Sequence, residues 1–491
     1  MPTFLLSSAP TLHPPRHTLS ALRTLTAAAV LAALTLGTSA GQTIPVEIFD
    51  PGYLEGDSNY HSITAASDGK IYFSINSHHP FSSVKLFRFD PADESIAEVA
   101  DVTAALGIDV KKEIPHGKIH TPLIEHDGYL YFATHTSQYD GNLPMIAPAD
   151  GRLPYQGGHF MRYDLRAGTL EDLAHLGLPN EGIITMALDP ASETLYGLTW
   201  PTGLLISYNL DEGLLHNWGA VQERGEWGQL PEEWDFICRD LGIDPDGRLF
   251  GSTDGGRIWR FDTGKQRPVT YLDPLSLDDV PPVQEADFRY ANEPHFFWRN
   301  WRAIRWNEST KSFWGLHGGS TQLFEFIPDA GALRSVASMR VRGSDADDPN
   351  HADGLSADAG RRSPHRTQLG FLVGPDNVLY YLGHGAPIAR AGGRNVATSV
   401  HLMTYSIDDG VVTDHGALVS ADGRRVFFTE SLELGADGHL YTVAWVETTD
   451  PDRMKVVQAA RGLAVPEETA DVVYEIQLVR LAFVLNEGTK E

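Results

Sequence analysis

One pattern returns seven times along the chain, and nothing else in the sequence limits the fold so tightly. An apolar strand runs into an Asp-Gly or Asn-type turn. A second strand rich in Tyr, Phe and Leu follows, then a loop and a third strand ending near a Tyr/Phe-Asp turn. The copies begin at HSITAASDGKIYFSI (His61), HTPLIEHDGYLYFAT (His120), ITMALDPASETLYGL (Ile184) and RDLGIDPDGRLFGST (Arg239). They continue at RAIRWNESTKSFWGL (Arg302), QLGFLVGPDNVLYYL (Gln368) and ESLELGADGHLYTVA (Glu430). The outer strands read KLFRFDP, HFMRYDL, LLISYNL, RIWRFDT, QLFEFIP, HLMTYSI and VVYEIQL. Asp-Gly and Asn turns supply the positive φ that two-residue hairpins need.

Units of roughly 55–70 residues, each a small antiparallel sheet, predict an all-β, seven-bladed β-propeller over residues 41–491 as a single domain. VEIFD (Val46–Asp50) is expected to complete the outer edge of the last blade, closing the ring and removing edges that would pair with other chains. Two tandem β-sandwiches fit less well, because the period is steady and no linker interrupts it.

Residues 1–40 read differently. Arg16 and Arg23 precede the small-apolar run TLTAAAVLAALTL (Thr24–Leu36), and Gly37-Thr38-Ser39-Ala40 places small residues where a signal peptidase cuts. The run is short for a bilayer span. A secretory signal peptide cut after Ala40 is expected, leaving a secreted or periplasmic protein. Losing two arginines and no acid takes the net charge from −27 to −29. Such a charge argues against nucleic acid or anionic membrane as a partner. The single cysteine excludes a disulfide framework.

In a propeller the starts of first strands and the ends of second strands meet at one end of the central channel. The equivalent first-strand positions are His61, His120, Ile184, Arg239, Arg302, Gln368 and Glu430. Polar residues at a nominally buried place cost free energy unless they have partners, which suggests a wet, ligand-facing mouth. Second-strand ends give a further ring: His78, His79, His135, Trp200, Asp254, His317, His384 and Trp445. Nearby segments add His116, Lys118, Arg289, His295, Arg299, Arg305, Arg361, Arg362, His365 and Arg366. Such a basic focus in an acidic chain fits an anionic ligand, and guanidinium forks suit carboxylate or sulfate.

His120 and His135 lie equally far from the Asp127-Gly128 turn and are expected to be cross-strand neighbours, dividing base and acid roles or sharing a metal. Tyr155 is a further proton-transfer candidate if its loop folds inward. Trp298, in the Arg- and aromatic-rich stretch from Arg289 to Trp301, offers a face on which a sugar ring stacks. Cys238 is either an inert buried thiol or one ligand of a zinc site with His295 and His317. The acidic stretch Ser344–Asp358 does not fit the calcium-loop template and reads as solvated. No GxSxG, P-loop or dinucleotide fingerprint occurs.

The segment HGKIHTPLIEHDGYLYFATH (His116–His135), with Gly157-Gly158-His159 and the sevenfold repeat, resembles the ulvan lyase type of β-propeller polysaccharide lyases. In that family histidines of the second blade, a tyrosine and an arginine carry β-elimination at a uronic acid, and a zinc ion can sit near the channel. His120 and His135 match the histidine pair. The third repeat departs from the pattern, reading Gly182-Ile183-Ile184-Thr185 and Leu198-Thr199-Trp200, so Arg239 or Arg302 would supply the cation. The resemblance implies a lyase for a uronate-bearing, anionic polysaccharide. Arg239, Arg302, Arg305, Arg366, His61 and Trp298 would then hold substrate, and His120, His135 and Tyr155 would move protons. A metal-dependent hydrolase or lactonase, and a non-catalytic glycan-binding propeller, are the alternatives.

Overall fold

The computed structural model describes residues 43–140, 143–227, 233, 235–262, 269–280, 299–341, 367–385, 387–391, 394–397, 399–462 and 472–484. The expected signal segment lies outside them. Among the described residues no helix is long and apolar enough to cross a membrane.

Local turn chemistry builds the sheets. In the second repeat Asp127 (φ 49°) and Gly128 (φ 80°) fold Ile124–His126 back onto Tyr129–Ala133. Consecutive positive φ values match the twist of the flanking strands. From such hairpins each of the first five repeats makes a four-stranded antiparallel sheet. In the third repeat the order is Gly182–Asp189, Thr194–Trp200, Leu204–Asn209 and Leu214–Ala220. The innermost of these is buried throughout, and the fourth is exposed or half-buried. That fourth strand corrects the sequence reading, which had put the edge at the third: it is too polar and irregular to stand out as a strand.

The sixth and seventh repeats share one nine-stranded sheet. Its link is Thr43–Phe49, which pairs antiparallel with Tyr474–Val484 and parallel with Val411–Ser420. The expected closing strand is therefore present, and it also joins the sixth repeat to the seventh. Arg480 fastens it, donating to Glu47 at 2.5 Å and to Glu94 at 2.6 Å.

Aromatic rings fill the space between sheets. The Phe250 ring lies 5.5 Å from Phe313 and 5.3 Å from Phe326, and Trp259 and Trp301 are fully buried beside them. Gly251 is the tight point: a Cβ there would sit 2.1 Å from Trp259 Cζ2. Gly251→Ala is expected to cost about 1–3 kcal/mol through overpacking. A urea midpoint unchanged by the substitution would contradict this.

The innermost strands line a channel and bond across it. His61 N donates to Glu430 O (3.1 Å), Ile304 N to Asp240 Oδ2 (2.9 Å) and Leu369 N to Glu430 Oε2 (3.0 Å). These contacts tie the seventh repeat to the first and sixth, and the fourth to the fifth.

Candidate functional site

All seven first-strand positions are buried, from Glu430 at 0% to Arg239 at 9% exposure. Their cations are already matched within the chain. Arg302 meets Glu430 at 2.8 and 2.9 Å, Arg239 holds both oxygens of Glu226, and Arg305 binds Asp240 and His61. The guanidiniums expected to meet an anionic substrate thus stand beside carboxylates of the chain itself. Each carries a carboxylate that desolvation demands. Glu226 was not foreseen, because it arrives from the loop between the third and fourth repeats and no motif marks it. Arg366, Trp298 and His295 lie outside the described residues.

The imidazoles gather differently. Lys118, not His120, is the residue bridged to His135, so the strand slips by two residues from the expected register. The His120 and His135 rings still come within 6.3 Å. His120 Nδ1 lies 2.9 Å from Ile184 O. A carbonyl only accepts, so Nδ1 carries the proton and Nε2 keeps its lone pair. Tyr60 stacks on the His120 ring at 4.7 Å. His135 packs 5.3 Å from Trp200, and its Nδ1 is buried without a hydrogen-bond partner among the described residues. Gly182 makes room for it, since a Cβ there would fall 2.5 Å from that nitrogen.

Lys118 Nζ completes the cluster. It donates to Tyr139 Oη at 2.8 Å and lies over the Tyr60 and Tyr139 rings, at 5.2 and 4.7 Å. Tyr139 Oη in turn donates to Thr136 O (2.9 Å). Burial holds His120 and His135 well below the usual imidazole range, helped by Arg239 and Lys118. Both rings are thus neutral, flanked by an ammonium and aromatic faces. The sequence pointed to His120, His135 and Lys118, but gave no sign of Tyr60 and Tyr139.

Tyr155 does fold inward, but toward a different imidazole: its hydroxyl lies 3.1 Å from His116 Nδ1. His116 in turn lies edge-on to His159, which stacks on His175 at 4.4 Å. Other histidines of the expected second ring serve local structure. His78 Nδ1 contacts Asp57 at 2.8 Å, His79 and His317 contact Ser82 and Ser320 at 2.9 Å, and His384 contacts Thr429 O at 3.2 Å. Cys238 is fully buried and its thiol donates to Asp240 O at 3.0 Å. Burial raises its pKa. Of its two partners in the zinc reading, His317 contacts Ser320, and His295 lies outside the described residues. Among the described residues the group with metal-ligand spacing is His126, Asp127 and Glu193, on a turn away from these histidines.

The buried imidazoles make stability sensitive to acid. His61, His116, His120 and His135 stay neutral in the fold, so the unfolded chain binds their protons first as pH drops below 6.5. Asp254 and Glu433, raised to about 7 by burial, work the other way. His159, His317 and His415, also held down by burial, make seven imidazoles against five raised carboxyls (Glu113, Asp240, Asp244, Asp254 and Glu433), which leaves a net loss of stability as pH drops below that point. Thermal midpoints measured from pH 7.5 to 5 should fall, and a flat profile would refute the assignment.

A sequence profile described as strictosidine synthase-like, N-terminal, matches residues 240–261. None of the curated proteins matches. Among solved structures, a Lactobacillus plantarum protein is 12% identical, covering 84% of this chain and 99% of its own, with a TM-score of 0.50. The fold is a β-propeller. The periplasmic gluconolactonase of Pseudomonas aeruginosa is 13% identical over 85% of this chain and 99% of its own, with a TM-score of 0.47. A GH74 enzyme of Niastella koreensis is 10% identical over 87% of this propeller and 55% of its own chain, with a TM-score of 0.49. At such identities the likenesses speak of the fold alone. They bear on propellers in general and not on the ulvan lyase type in particular.

Proposed function

We propose that the chain is a seven-bladed, exported propeller enzyme that hydrolyses a lactone or ester of a sugar acid at the mouth formed by repeats one to four. The observation that carries this reading is the tautomer of His120, whose Nδ1 proton is committed to Ile184 O. Its Nε2 is a neutral base near a cation. In the reaction His120 Nε2 takes a proton from water as the oxygen attacks the acyl carbon. The Lys118 ammonium meets the negative charge that develops on the acyl oxygen. Collapse expels the ring or ester oxygen, which recovers the proton from His120. Tyr60 and Trp200 offer flat faces to a sugar ring.

Hydrolysis leads over β-elimination because Arg239 and Arg302, the cations expected to neutralise a uronate, already hold Glu226 and Glu430. The gluconolactonase named above agrees with this reading, which does not rest on it. Elimination is the second reading, favoured by the 6.3 Å approach of His120 and His135 and by the ulvan lyase-like segment. Incubation with sugar lactones, watched by acid release, and with uronate polysaccharides, watched by ultraviolet absorbance of an unsaturated product, separates the two. Ligand bound but unchanged in both assays would point to a glycan-binding propeller instead.

A further inference from the structure

Farther along the channel a second set of groups converges that the mouth does not use. A cavity of about 350 Å³ is walled by Leu123, Met186, Leu188, Ile243, Trp306 and Phe371. Its polar residues are His61, Asp240, Arg305 and Glu433. Arg305 is the informative one. Nη1 donates to Asp240 Oδ2 and to Ile304 O (2.6 Å), and Nη2 donates to His61 Nε2. A guanidinium has five protons, so one on Nε and one on Nη2 remain without a partner among the described residues. Those two lie on the planar edge that grips a carboxylate with parallel hydrogen bonds.

The surroundings hold that edge in place. His61 accepts from Arg305 while sitting at φ 71°, a strained backbone for a residue with a Cβ. Its other nitrogen, Nδ1, is buried 4.0 Å from Asp240 Oδ1 and makes no hydrogen bond among the described residues. Such strain persists only where neighbours over-determine it, here by anchoring the guanidinium. Glu433 is pushed up to about 7 by burial, against the pull of Arg305. At pH 6 its carboxyl is mostly protonated and can donate to an oxygen rather than repel an anion.

We infer that this cavity binds a small monocarboxylate with an apolar body, a single ring or a short branched chain, its carboxylate seated on the Nε–Nη2 edge of Arg305. Leu123, Met186, Leu188, Ile243, Trp306 and Phe371 offer an apolar body more contact than a polyhydroxylated sugar, so the ligand differs in class from the substrate proposed for the mouth. A cavity of this size suits a molecule of one ring.

Calorimetric titration of the full chain at pH 6 with phenylacetate, 4-methylpentanoate and 2-phenylethanol tests this. Saturable one-to-one binding of a carboxylate is expected, with the alcohol at least tenfold weaker. Leu188→Trp, which fills the cavity, and Arg305→Lys, which keeps the charge but removes the edge, should each weaken carboxylate binding at least tenfold. Arg305 also anchors Asp240, so Leu188→Trp decides if the lysine variant does not fold. No heat from either carboxylate, an alcohol that binds as well, or binding unchanged by Leu188→Trp would each overturn the proposal. The lactone and lyase assays play no part, so failure of the proposed function leaves this result standing, and the reverse also holds.

Discussion

Replacing His120 by Asn should lower kcat by about a hundredfold to ten-thousandfold with little change in KM, the span a positioned general base commonly contributes. Asn is the informative choice because its amide N–H can take the place of Nδ1–H against Ile184 O, while nothing replaces Nε2. The pH profile gives a second, independent readout. Burial, with Arg239, His135 and Lys118 nearby, holds the His120 pKa well below 6.5. In the wild type the acid limb of kcat/KM should therefore lie well under the usual imidazole range, and in His120→Asn that limb should vanish. A variant within threefold of wild type, with the limb intact, would remove His120 from the chemistry and the proposed hydrolysis with it.

Removing one partner of the Arg302–Glu430 pair should be the most damaging single change to stability. The two side chains are 1% and 0% exposed and lie 2.8 Å apart across the channel. Desolvating either charge alone is expensive, so Arg302→Met or Glu430→Gln is expected to cost about 3–5 kcal/mol. That is a third or more of the stability of many domains. Glu430 also accepts from Leu369 N at 3.0 Å, so losing its charge disturbs the sixth repeat as well. The double variant Arg302→Met, Glu430→Leu should recover most of the loss, since no charge is then stranded. Guanidinium unfolding of the single variants decides the matter. A cost below about 1 kcal/mol would mean that water already reaches the pair and the channel is not dry at this level.

The contrast between these two residues shows how far the repeat could be read. His120 and Arg302 occupy the same place in their units, and the alternation of apolar positions was enough to align them. The role of each depends on what stands opposite. Ile184 O lies across from His120, and Glu430, 128 residues away in sequence, lies across from Arg302. Tyr155 makes the same point. Its inward turn agrees with the sequence expectation, yet it meets His116, and Gly157 (φ 123°) and Gly158 follow it in a tightly packed loop. A Cβ at Gly158 would lie 2.9 Å from Thr134 O, a packing constraint with no visible trace in the residue pattern.

Periodic strands and their Asp-Gly turns are local in origin, so the order of residues along the chain was sufficient to specify an all-β array and to name the positions facing its axis. The charge state and partner of every such position are long-range properties. They arise only when the ring brings Glu226 to Arg239, Asp240 to Arg305 and Glu430 to Arg302, satisfying in low dielectric what the linear pattern had left as a row of unclaimed cations.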